Sequence, residues 1–173
     1  MLFIDSTIFT EIPPLRAQWS LRGAQACVPI PGQHGKHVLT GVLNITTGTY
    51  LQYASPAFKQ AQFQEVLRMI RTQWRGWQIV LFLDRLPAQW AGASRRVARA
   101  LGIELRWLPT ACPHLHPVDH LWRHLKQDVL ANEPTPNLKK TLKRAWNYLA
   151  SLSPRQRLQK AGVLSEDFWL KDV

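Results

Sequence analysis

Along the first fifty residues, apolar and β-branched positions come in short runs between Gly and Pro breaks, a pattern of strands rather than helices. Strands are predicted over LFIDSTIF, around Gln25 to Ile30 after the Arg22-Gly23 turn, and over HVLTGVLNITTG. Asn44 to Thr49 then turns into GTYLQYA as a hairpin continuing the sheet. From Phe58 to Trp74 the period lengthens. Phe58, Ala61, Val66, Leu67, Ile70 and Trp74 fall on or near one face, with Lys59, Arg68 and Arg71 elsewhere, which predicts an amphipathic helix. The compact run Ile79 to Leu83 predicts a buried strand. A loop holding Pro87, a helix from Gly92 to Leu101 stopped by Gly102, and the strand ELRWL complete a β-α-β unit. Three prolines in LPTACPHLHP deny that loop regular structure. A helix is expected from Val118 to Ala131, ended by Pro134 and Pro136. A basic helix follows from Asn137, with Leu138, Leu142, Ala145, Trp146 and Leu149 as its apolar stripe and Lys139, Lys140, Lys143 and Arg144 opposite.

At 173 residues and 46% hydrophobic, the chain suits one well-packed domain over residues 1–173. Its net charge of +11 arises from 22 bases against only 11 acids and points to a polyanionic partner, nucleic acid by default. Up to Asp84 the chain carries 7 Lys/Arg and 4 Asp/Glu, and beyond it 15 and 7, so the basic surface lies mainly C-terminal. The face carrying Lys139, Lys140, Lys143 and Arg144 reads either as a phosphate-contacting surface or as a solvated one. No apolar run approaches the roughly 18 residues that span a bilayer, and Met1 leads directly into a strand without a basic leader. A cytoplasmic protein with no membrane partner is expected. Cys27 and Cys112 lack a CxxC partner and read as small buried thiols rather than zinc ligands or a disulfide.

The few acids carry the chemistry. Asp5 ends MLFID, Asp84 ends QIVLFLD, and Asp119 enters the helix of PHLHPVDHLWRHLK. An apolar run ending in a carboxylate places that group at the carboxyl mouth of a buried strand, where ligand crevices form. Two such ends and a helix-entry acid can converge on one divalent-metal site. Two Mg²⁺ or Mn²⁺ ions ~4 Å apart would suit phosphodiester chemistry, activating an attacking oxygen and stabilising the leaving one. Asp119 has a plainer reading, as an acid complementing the helix dipole. His120 and His124 have the spacing of a zinc pair, but HLWRH lacks the adjacent Glu of a metalloprotease. His114 and His116 read as phosphate or metal-shell contacts, or as loop packing.

The stretch LDRLPAQW…LGIELRWLPTACPHLHPVDHLWRHLKQDVLAN resembles the catalytic core of mariner-superfamily DDE/D transposases, in particular the bacterial insertion-sequence branch called the six-thirty family. FIDSTIF with Trp19 and Gly23, HVLTGVLNITTG and LKRAWNYLASLSP are similar to further parts of that core. Thirty-four residues separate Asp84 from Asp119, a spacing typical of the superfamily. The resemblance implies an α/β fold, a ribonuclease-H-like mixed sheet flanked by helices. It also implies Asp5, Asp84 and Asp119 as catalytic and metal-binding acids holding two Mg²⁺ or Mn²⁺ ions. The implied reaction is cleavage of DNA at element ends and strand transfer into target DNA by a homodimer at the bacterial nucleoid. Arg85, His116, Arg123 and Lys126, with the bases of the last helix, are the expected DNA contacts.

Several positions depart from the family pattern. Ser6 stands where the bacterial branch often has Glu, Arg85 replaces Asn, Trp90 sits where His is frequent, His116 replaces Asn, and Asp119 stands where relatives commonly carry Glu. Nothing before Asp5 supplies the family's N-terminal helix-turn-helix, so the expectation is a catalytic domain fused by frameshifting to an upstream DNA-binding segment, or a truncated form. The rival readings are a catalytically decayed DNA-binding remnant and a structure-selective nuclease on the same fold.

Overall fold

In a computed structural model, which describes residues 1–30, 35–133 and 137–170, the alternating N-terminal segments pair into one five-stranded mixed sheet. Strands β1 (Leu2–Thr10), β2 (Lys36–Asn44), β3 (Tyr50–Ser55), β4 (Ile79–Leu83) and β5 (Ile103–Trp107) lie in the order β3-β2-β1-β4-β5. The first three are antiparallel neighbours. β4 runs parallel to β1 on one side and to β5 on the other.

Helices cover both faces. Helix α1 (Gln60–Gln73) lays Phe63, Val66, Leu67 and Ile70 against Leu2, Ile4, Leu81 and Leu83, and α3 (Gly92–Ala100) adds Ala98 to the same cluster. Helix α4 (Pro117–Leu125) lays Val118, Leu121, Trp122 and Leu125 on the opposite face with Phe3, Leu39 and Leu43. There it is joined by Ala145 and Leu149 of α5 (Leu138–Ser151), and α6 (Pro154–Lys160) closes the layer. The expected mixed sheet flanked by helices is the one observed.

Other local expectations are corrected. Gln25 to Ile30 is not a strand: residues 13–30 contain no helix or strand and leave Leu15, Trp19 and Leu21 exposed. β-branched residues there have no neighbouring strand to pair with, and isolated propensity does not make a strand. Asn132 ties down this arm by accepting from Arg16 N–H (2.9 Å) and donating to the Arg16 carbonyl (2.9 Å). Cys27 sits exposed on the arm and Cys112 is half-buried, so neither is the buried thiol expected; both are free. The loop around Pro87 holds a short helix, α2 (Pro87–Trp90), with proline at its first turn. A 3₁₀ turn, Pro113–Leu115, interrupts the proline-rich loop. After Leu125 the helix widens to π-type spacing over Lys126–Leu130, and Pro134 and Pro136, expected to end it, lie outside the described residues. In α5 the buried stripe runs through Thr141 rather than Trp146, which is exposed.

Candidate active site

The period-2 alternation of two parallel strands builds the site. Phe3 and Phe82 are register partners and stack at 4.7 Å with ring planes 10° apart on the α4 face of the sheet. Asp5 and Asp84 each lie two residues further along, so alternation aims both carboxylates to that same face. The β1–β4 ladder ends at Phe3 and Phe82, and the two acids stand where the strands part. Asp5 is not at the end of its strand as expected. β1 continues to Thr10 by pairing with β2, which sets Asp5 opposite Gly41.

The loop following β5 brings the third group. His116 is the N-cap of α4 and is buried; its Nε2–H donates to the carbonyl of Ile4 (3.0 Å), and its ring meets Phe3 edge-on. The other ring nitrogen, Nδ1, is buried with no hydrogen-bond partner among the described residues. One ligand atom from each of Asp5, Asp84 and His116 lies within 4.8 Å of the others. Such a set of oxygen donors with one imidazole fits a divalent cation, and an orphaned buried nitrogen is what a ligand position leaves when no ion is present.

Asp119 lines the same cleft, of about 470 Å³, but stands outside that tight trio. Its Oδ2 is taken by Arg123 one helical turn on, from Nε (3.0 Å) and Nη2 (2.9 Å). Burial holds the Asp5 carboxyl above the ordinary carboxylate range. Asp84 and Asp119 add to the shift, whereas His116 and the Ser6 backbone N–H oppose it. The cleft therefore gathers carboxyl groups whose ionised forms disfavour one another, a burden that a proton or a bound cation relieves. Arg85, Thr110, Ala111 and Cys112 complete its rim, with Ala111 held at φ 58°.

The remaining sequence candidates lie apart. Lys126 lines a second cleft with Ile8, Phe9 and Leu130, and Lys139 a third with Glu11 and His37. Lys140 and Lys143 are exposed on α5, while Arg144 donates to the Val129 carbonyl (3.0 Å) and pairs with Glu133. His120 is pushed down by burial and by Arg123.

Sequence reasoning missed two residues packed close to the strands that carry the acids. The Tyr50 hydroxyl is buried without a partner among the described residues, and burial pushes this phenol far up. Trp169 donates from Nε1 to the Leu115 carbonyl (3.1 Å) and packs edge-on against Phe3 and Phe82. Tyr50 lies in the predicted GTYLQYA strand, but nothing in that strand marks its hydroxyl as buried, and no local signal sets Trp169 apart.

The DDE superfamily endonuclease profile matches residues 1–143. An insertion element IS630 uncharacterized 39 kDa protein of Shigella sonnei is 25% identical over 150 residues, covering 82% of this chain and 42% of that protein. Among solved structures, a Mos1 transposase paired-end complex with its left transposon end superposes with a TM-score of 0.74 at 17% identity, over 96% of this chain and 52% of that one. A Mos1 mariner paired-end complex with Mn gives 0.69 at 19% identity, over 92% and 51%. This chain spans about half the length of these proteins. The likeness bears out the ribonuclease-H-like fold expected from the sequence, and the resemblance to the mariner superfamily and its insertion-sequence branch agrees with the family match.

Proposed function

The chain belongs to the DDE superfamily of endonucleases, and on that premise we propose that it is the catalytic domain of a DNA transposase, cutting element ends and transferring the freed strand into target DNA. The observation that carries this reading is the convergence of Asp5, Asp84 and His116 within 4.8 Å, in a cleft that Asp119 also lines.

Asp5 and Asp84 would hold the cations, and Asp119, which pairs with Arg123, would complete the set. Two Mg²⁺ or Mn²⁺ ions bound there supply activation of a water or 3′-hydroxyl and stabilisation of the leaving oxygen. His116, its orientation fixed by the Ile4 carbonyl, adds an imidazole nitrogen to the same space. Arg85, directly after Asp84, sets a charged fork at the cleft rim for the scissile phosphate. Arg123, Lys126, Lys139, Lys140, Lys143 and Arg144 hold the flanking backbone. Such contacts position DNA without reading its sequence, so end recognition is assigned to a DNA-binding segment joined to this domain by frameshifting. A homodimer brings two ends together, in the bacterial cytoplasm at the nucleoid. No helix among the described residues is long and apolar enough to cross a membrane. A decayed remnant is not favoured, because the acids and the orphaned imidazole still converge.

The test is Mn²⁺ titration calorimetry on the native chain and on Asp84→Asn, with circular dichroism to establish that both are folded. We expect binding by the native chain and at least about a hundredfold weaker binding by the variant, since losing even an outer partner of a metal ligand costs ~10–100-fold. Binding by neither chain, with DNA present, would return the protein to the decayed-core reading.

A further inference from the structure

Trp90 stands beside the acid cleft with much of its ring uncovered. It ends α2, six positions after Asp84, and is 45% exposed. Its ring meets Trp107 edge-on at 4.8 Å, and Trp107, the last residue of β5, pairs with Leu83 immediately before Asp84. The indole is thus built off the same strand ends that carry the acids. The helix beneath it is fixed too: buried Ser94 donates to the Ala88 carbonyl (2.7 Å), and Gln89 is buried.

Two guanidinium groups lie over the indole, Arg95 at 5.1 Å and Arg85 at 5.7 Å from the ring centre. No carboxylate among the described residues pairs with either one. Arg85 also lines the acid cleft, so cleft and indole are joined by an unneutralised base.

A half-exposed indole packed on the strand ends, with two guanidinium groups over it that no carboxylate holds, suits single-stranded nucleic acid: the guanidinium groups turn from the ring to the phosphates and a base stacks in their place. Bases within a duplex already have both faces stacked and gain nothing from it. We propose that Trp90, flanked by Arg85 and Arg95, binds an unpaired nucleobase of the DNA strand adjoining the acid cleft. The inference rests on the reading that this cleft receives DNA, and it adds a preference for unpaired over duplex nucleotides there.

The experiment measures fluorescence anisotropy of labelled DNA with the full chain in EDTA, comparing a blunt duplex with the same duplex bearing a short single-stranded 3′ extension. The native chain should prefer the extended duplex by about tenfold, within the range for one base–aromatic stack. Trp90→Leu, which keeps apolar bulk against Trp107, should erase that preference and leave blunt-duplex affinity unchanged, whereas Trp90→Phe should keep most of it. Arg95→Gln, at an exposed position on α3, provides a second variant and should reduce the preference even if the leucine variant fails to fold. The proposal is overturned by a native chain without preference, by a preference that survives in Trp90→Leu, or by equal loss of affinity for both probes. Because these measurements exclude metal, their failure alongside intact Mn²⁺ binding would sink only the Trp90 site, and the converse result only the catalytic reading.

Discussion

On the α1 face of the sheet, Leu2, Ile4, Leu81 and Leu83 run into Phe63, Val66, Leu67 and Ile70, apolar throughout. On the α4 face the corresponding stripe, Phe3 and Phe82, gives way one step later to Asp5 and Asp84. The same two strands and the same alternation build both. What differs is the cover: α1 lies across its face, whereas α4 enters with His116 and Asp119 and leaves a cleft over the strand tips. The site is a core stripe continued in carboxylates, placed where no helix seals it. Both faces carry an apolar core, and only the α4 face opens into the acid cleft.

That difference predicts different responses to mutation. The largest effect should come from the sealed face. Leu67→Ala removes a fully buried side chain and should cost ~2–5 kcal/mol by urea denaturation, while Mn²⁺ affinity of the folded fraction stays within about twofold. Loss of metal binding in parallel would show that the faces are not independent.

A smaller loss, ~1–3 kcal/mol, is expected for Gly41→Ala. A Cβ there would lie 2.9 Å from the Trp122 ring and press on Tyr50, directly across the ladder from Asp5. Unlike Leu67→Ala, this variant should weaken Mn²⁺ binding too, because it disturbs the floor of the cleft. Unchanged affinity would separate the floor from the site.

The third effect is smaller still and opposite in sign. Burial raises the Asp5 carboxyl above its ordinary value of 3.8, so the folded state holds that proton more tightly than the unfolded chain does. The resulting stabilisation is present below the unfolded value and disappears as pH rises through the raised folded value. Asp5→Asn should therefore melt higher than the native chain at neutral pH without metal, and the gap should close in acid. Added Mn²⁺ should raise the melting temperature of the native chain alone. A variant that melts lower at neutral pH would mean that the Asp5 charge is already compensated in the metal-free protein.

Much of this organisation is legible in the chain. The run Ile79 to Leu83 ending in Asp84 announces a buried strand delivering an acid, whereas the interval to Asp119 has meaning only through the family resemblance, and Asp119 stands outside the tight trio. Failures occurred where local pattern and neighbourhood disagree. Gln25 to Ile30 has strand composition but nothing to pair with, and Trp146 has the right spacing on α5 but faces away from the covered side. The sequence leaves His116 open between loop packing and a site contact; the fold buries it, ties its Nε2 to the Ile4 carbonyl and sets its ring beside Asp5 and Asp84.

The sequence by itself determined the five strands of the sheet and its long amphipathic helices, the acids that follow apolar runs, and the excess of basic residues, because periodicity and charge are properties of neighbouring residues. Only the tertiary structure decided that Phe3 pairs with Phe82, that Asp5 therefore faces Asp84, and that Arg123 occupies Asp119. Register between strands so far apart in the chain is set by how α1 packs beneath them both, and no local pattern encodes that packing.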